Sequence, residues 1–263
     1  MKKIMAFILS SICILFLSAC GQMKRVGTGQ NTLIVGVDDS FVPMGFQSPA
    51  GKLSGFDIDL AKETGKVLHR KVVFQTIDWS MKETELRNGT IDLIWNGYTK
   101  TAERAQKVHF SQPYLRNQQV VVVKNSDHIN SLQQLKNKAV GVQSSSTGYD
   151  DLMQQPRILK NIIQNQTPFQ YDNIQNGMMD LKAGRIQGFL IDRVFAEYYL
   201  KHDRQQDQFK ILITPYQSES FAVGSRKNDL QTQKQINQAL HYLKKSGQLK
   251  KLSYHWFGKD ISQ

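Results

Sequence analysis

Gly55-Phe56-Asp57-Ile58-Asp59-Leu60 is the stretch on which the reading of this chain turns. Ile58, Ala61 and Leu68 follow at helical spacing, so 57–68 is expected as a helix with one apolar face. Asp57 and Asp59 flank Ile58 in its first turn. Acids suit the positive end of a helix dipole, which gives both a structural role. Apolar runs of strand length stand on either side, Leu33–Val37 before and Val72–Ile77 after. Strand, helix, strand in that order is the repeating unit of an α/β sheet.

The alternation continues outward. Further strands are expected at Ile91–Trp95, Gln119–Val123, Ala139–Val142, Ile186–Ile191 and Phe209–Ile213. Helices are expected at Asn173–Ala183, with Ile174, Met178 and Leu181 on one face, and at Asp229–Ser246 and Gln248–Trp256. This pattern predicts α/β architecture with parallel sheets rather than a sandwich. No repeat of solenoid length is visible.

Composition fits that class. Of 263 residues, 40% are hydrophobic and 21% charged, enough for a packed core. Two cysteines exclude a disulfide scaffold and a cysteine-rich zinc site. Met1-Lys2-Lys3, the apolar run Ile4–Leu17 and the small residues before Cys20 read as a signal peptide over 1–19. Leu17-Ser18-Ala19-Cys20 resembles the lipobox of bacterial lipoproteins, which implies lipidation of Cys20 and a polar tether over 20–31. Removing Lys2 and Lys3 takes the formal net charge from +12 to +10. The remaining basic residues are spread along the chain without a tract. They point to a solvated surface beside anionic membrane or wall polymer rather than to nucleic acid.

Chemistry-bearing motifs are missing. There is no phosphate-binding loop, no dinucleotide fingerprint and no nucleophile elbow. His69, His109, His128, His202, His241 and His255 show no metal-ligand spacing. No metal, cofactor or catalytic residue is expected.

Several segments, in order, resemble the polar-amino-acid solute-binding proteins of ABC importers. They are Val35-Gly36-Val37-Asp38, Phe41-Val42-Pro43, Gly55 to Leu60, Ile91-Asp92-Leu93-Ile94, Thr101-Ala102-Glu103-Arg104, Phe110-Ser111-Gln112-Pro113-Tyr114, Val142-Gln143 through Thr147-Gly148, and Trp256-Phe257-Gly258. The resemblance implies a two-lobed, periplasmic-binding-protein-like α/β fold of type II, a hinged "Venus flytrap". Lobe one would hold 32–118 and 217–263, and lobe two 119–216. The chain would cross twice at the hinge, near Tyr114–Gln118 and Gln217–Phe221. The ligand would be a free amino acid, handed to ABC permease subunits. The protein would be lipid-anchored at the cell membrane, on its extracellular or periplasmic face.

The family's site residues carry over one by one. Arg104 matches the arginine that forks onto the ligand carboxylate. Gly97 and Thr99 match backbone and hydroxyl donors beside it, and Thr147 the donor from lobe two. Asp192 matches the partner of the ammonium group. Phe41 and Trp79 match aromatic walls, and Asp38 the residue lining the side-chain pocket. An acid at position 38 disfavours acidic ligands and favours glutamine-like, histidine-like or basic ones. Taken singly, each has an ordinary structural explanation; their shared order carries the assignment. Asn96, His109, Gln143, Ser145 and Gln187 depart from or add to the family pattern, which leaves the ligand open. The same fold also hosts cyclohexadienyl dehydratase-like enzymes, in which Asp38 would be a general acid.

Overall fold

The structure is a computed structural model and describes residues 31–202 and 207–263. The expected signal peptide, Cys20 and the tether up to residue 30 lie outside the described residues. In chain order the strands and helices are β1 Thr32–Val37, β2 Ser40–Phe41, β3 Gly45–Gln47, β4 Leu53–Ser54, α1 Phe56–Leu68, β5 Lys71–Thr76, α2 Lys82–Asn88, β6 Leu93–Ile94, α3 Ala102–Lys107, β7 Val108–Phe110, β8 Leu115–Asn117 and β9 Gln119–Lys124. Then follow β10 Val140–Gln143, α4 Thr147–Gln154, β11 Phe169–Tyr171, α5 Ile174–Ala183, β12 Gly188–Asp192, α6 Arg193–His202, β13 Phe209–Ile213, β14 Glu219–Phe221, β15 Gly224–Arg226, α7 Leu230–Lys245 and α8 Gln248–Phe257.

Two five-stranded sheets organise these elements. The first runs β5-β1-β6-β15-β7 and the second β11-β10-β12-β9-β13. We take them as the sheets of lobe one and lobe two. Between them β8 pairs antiparallel with β14, so the two chain crossings lie side by side, with Asn117 opposite Glu219. Each sheet is mixed rather than purely parallel. β1 runs parallel to β5 and β6, and β10 to β11 and β12. However, β15 is antiparallel to β6 and β7, and β9 to β12 and β13. The reason is the hinge. β9 follows the first crossing and β15 the second, so each enters its sheet from the hinge side, against its neighbours' direction.

Burial explains the sequence pattern. Val120 to Val123 in β9 are all fully buried, because a central strand covered on both faces needs no alternation. Phe56, Ile58, Leu60 and Ala61 of α1 are buried against the first sheet. The expected strand 91–95 narrows to β6 because Asp92 substitutes for ladder contacts. Its amide donates to the Ile34 carbonyl, and its carboxylate accepts from the Ile34 amide and from Arg226. Side-chain caps start several helices, with Thr101 accepting from the Arg104 amide, Asn173 from Asn176 and Asp229 from Thr232. Among the described residues no helix is long and apolar enough to cross a membrane.

Candidate functional site

Arg104 is the pivot of the cleft between the sheets. Capping by Thr101 fixes the short α3, and the Arg104 side chain turns inward to 5% exposure. Its guanidinium lies 4.8 Å from the Tyr98 ring centre. It donates to the Thr99 carbonyl at 3.2 Å and, across the cleft, to the Ser145 carbonyl at 3.3 Å. Lys82 reaches the same acceptor, donating from Nζ to the Ser145 carbonyl and to the Trp79 carbonyl, both at 3.0 Å. It also sits 4.9 Å from the Trp79 ring. Burial, and then the charge of Arg104, bring the Lys82 pKa down to about 8. Ser145 offers that carbonyl from a left-handed backbone conformation with φ 55°.

A second cluster faces the hinge. Thr99 Oγ1 and Thr147 Oγ1, from the two lobes, stand 3.3 Å apart. Both hydroxyls donate to Glu219 Oε2, at 2.9 and 3.4 Å. Gln119 Nε2 donates to Asp192 Oδ1 at 2.9 Å and to Glu219 Oε1 at 3.1 Å. Asn117 Nδ2 donates to Asp192 Oδ1 and to Glu219 Oε2. Both acids keep some surface exposed, but their carboxylates lie among packed groups. Burial raises both pKa values; for Asp192 the charge of Glu219 adds to burial and takes it well above the usual carboxylate range. A cavity of about 580 Å³ opens beside Thr99, Thr147 and Glu219, within the size range of small-ligand pockets. Asp151 lines it too, pushed up to about 7 by burial and by Glu219 and Asp150.

Asp38 marks the third corner. It follows β1, and its carboxylate accepts from Ser40 Oγ at 2.6 Å and, across the cleft, from Gln143 Nε2 at 2.9 Å. Burial raises its pKa against these hydrogen bonds. Asn96 Nδ2 donates to the Asp38 carbonyl at 3.1 Å. Phe41 stacks with Phe195 of the second lobe, centroids 6.3 Å apart, and Trp79 meets Tyr98 edge-on at 5.9 Å.

The expected residues therefore gather at one cleft, with one correction. The Gly97 amide donates to Asp57 Oδ2 at 2.7 Å and so is committed within its own lobe. Gly97 instead lets Phe41 approach: its φ is 59°, and a Cβ there would stand 2.4 Å from the Phe41 ring. Asp57, which also accepts from Tyr114 Oη at 2.8 Å, is the buried post behind this loop. Sequence reading missed Lys82, Asn117, Gln119 and Glu219. Only Lys82 carried a signal, as a cation at the first position of a helix, where the dipole disfavours it. Among the described residues no cluster of His, Cys, Asp and Glu could hold a metal ion.

Comparison with known proteins agrees with this geometry. The L-cystine-binding protein TcyJ of Escherichia coli K12 is 30% identical over 236 residues, covering 89% of this chain and 85% of that protein. The arginine-binding extracellular protein ArtP of Bacillus subtilis is 28% identical, covering 98% of each chain. An ABC uptake transporter substrate-binding protein from Streptococcus pneumoniae, crystallised with bound histidine, superposes with a TM-score of 0.87 at 44% identity. The match covers 89% of this chain and 95% of that one. The family model of bacterial extracellular solute-binding proteins, family 3, matches residues 33–259, and the chain belongs to that family.

Proposed function

We propose that this chain captures a polar amino acid in the cleft between its lobes and delivers it to the permease of an ABC importer. The observation that carries the proposal is the meeting of Arg104, Thr99 and Thr147, from opposite lobes, over against a buried acid pair. A free amino acid needs both: a forked cation with hydroxyls for its carboxylate, and an acid for its ammonium. Arg104, Thr99 and Thr147 hold the carboxylate, and Asp192 the ammonium. Phe41 and Trp79 wall the aliphatic part, and Asp38 faces the side chain. Lobe one runs over 32–118 and 217–263 and lobe two over 119–216, which the strand membership of the two sheets supports. The relatives are binding proteins rather than enzymes, which supports Asp38 as pocket wall rather than general acid.

Asp38 repels a second carboxylate, so the ligand is glutamine-like, histidine-like or basic rather than acidic. Cys20 carries the lipid that holds the protein on the outer face of the membrane. Two acyl chains suffice for a stable anchor where one is marginal. A thermal-shift screen of the twenty amino acids plus cystine tests the ligand class. A rise with at least one neutral polar or basic amino acid, and none with glutamate or aspartate, is expected. No rise with any of them removes the proposal. Cys20→Ala should move the protein from the membrane fraction to the medium.

A further inference from the structure

We propose that Glu219, from the second hinge crossing, is a ligand-binding residue of this cleft: with Asp192 it forms a two-carboxylate seat for the ammonium group. This rests on the amino-acid assignment above and extends it. One nitrogen already touches both acids, since Gln119 Nε2 lies 2.9 Å from Asp192 Oδ1 and 3.1 Å from Glu219 Oε1. A nitrogen cation at a neighbouring point can therefore touch both as well. Every donor to the pair is neutral: the Asn117 and Gln119 amides and the Thr99 and Thr147 hydroxyls. Among the described residues neither acid has an ion-pair partner. Glu219 also lines the 580 Å³ cavity, together with Thr99 and Thr147.

Two adjacent carboxylates without a cation hold one proton between them, because both cannot be charged cheaply. An arriving ammonium supplies the missing positive charge, and the proton leaves to solvent. The charged groups facing the pair are Arg104, which favours ionisation of both acids, and Asp151, whose own pKa Glu219 pushes up. Capture is thereby coupled to proton release. Glu219 also ties binding to the hinge, since its strand β14 pairs with β8.

The test is calorimetry on the full chain with L-histidine, L-arginine, L-glutamine and L-cystine, in phosphate and in Tris. For the tightest of these, the wild type should release up to one proton, read as a buffer-dependent heat. Glu219→Gln keeps the shape and the acceptor oxygen. It should weaken binding about tenfold or more and lose the buffer dependence, while its melting curve stays cooperative. A wild type that binds one of the four with no proton release overturns the seat without needing the variant. So does a Glu219→Gln protein that binds equally well or more tightly. The latter result would make Glu219 an internal competitor for the Thr99 and Thr147 hydroxyls. A wild type that binds none of the four overturns the amino-acid assignment and the seat with it.

Discussion

The two ends of the cleft solve opposite electrostatic problems. At one end two cations, Arg104 and Lys82, converge on a single neutral carbonyl of Ser145. At the other, two acids, Asp192 and Glu219, converge on neutral amides and hydroxyls. Among the described residues Lys82 is paired only with its neighbour Glu83, at 3.7 Å, and the charges do not cancel through a direct ion pair between the two ends. An amino acid is a zwitterion, and a site that keeps its own cations and anions apart is complementary to one. The difference between the ends lies in their scaffolding. The cations hang on helix starts and reach across the cleft, whereas the acids sit at the ends of strands that form or adjoin the hinge. One end grips the opposite lobe and the other senses the hinge angle.

Breaking the cationic end should cost most. Arg104→Ala removes a buried charge that donates to the Ser145 carbonyl and that the proposed function places on the ligand carboxylate. Binding should fall by about thirtyfold or more, below detection for a weak ligand. Arg104→Lys keeps the charge but loses the fork and should remain impaired. Calorimetry reads both, and wild-type affinity in the alanine variant would remove Arg104 from the site. At the acidic end Asp192→Asn should weaken binding by more than about tenfold while leaving the melting temperature near that of wild type. An unchanged dissociation constant would break the symmetry drawn above.

Lys82 sharpens the comparison, because it touches Ser145 without being needed for a carboxylate. Lys82→Met keeps the stem against Trp79 and removes the cross-cleft hydrogen bond. A hydrogen bond from a charged group contributes about 1.5–3 kcal/mol, and burial of the ammonium offsets part of that. Affinity should drop by about fivefold, and scattering at saturating ligand should show a less compact average. If compaction is unchanged, Lys82 is a passive wall.

The smallest effect is in pH. Asp57 is held by burial at about 7 against an ordinary 3.8, and burial also raises Asp38, Asp192 and Glu219. A folded-state acid with a raised pKa binds more protons folded than unfolded, so it favours folding less as pH rises. The contribution of Asp57 to the melting temperature should therefore decline between about pH 4 and 7. A bound ammonium favours the ionised pair at the hinge, so the ligand-induced rise in melting temperature should grow as pH rises. Melts with and without ligand check both slopes, and Asp57→Asn should flatten the first. Equal ligand-induced rises at both ends of the range would argue against the acidic end as drawn.

Much of this was legible in the sequence, for identifiable reasons. α1, α5, α7 and α8 show one apolar face, and the four-valine run of β9 reads as a strand. Arg104 and Thr147 could be proposed because they stand in ordered motifs, and Asp192 because it ends an expected strand. Glu219 could not, because it meets Asn117 only through the pairing of two crossings 102 residues apart. The direction of β9 and β15 was hidden for the same reason, since strand patterns do not record from which side a chain enters a sheet. The Gly97 amide was misassigned because Asp57 reads as a helix-start acid until folding places it behind the loop.

The position of β15 has a consequence for how the chain is made. In the first sheet β15 lies between β6 and β7, so that sheet is incomplete until residues 224–226 exist. The second sheet draws all its strands from one uninterrupted segment, residues 119–213. During synthesis the second lobe can assemble while the first still waits with a gap beside β6. Low sequence separation favours early folding, and long-range closure comes late. An interior strand of the waiting sheet arrives with the second crossing, so completing the first sheet and laying down the hinge are one event. A chain that stalls before that point would hold a finished lobe two beside an open, hydrogen-bonding strand edge. Such an edge is a template for pairing with another copy. Mutations that slow the arrival of β15 should therefore show up first as aggregation during secretion, before any loss of affinity in the folded protein.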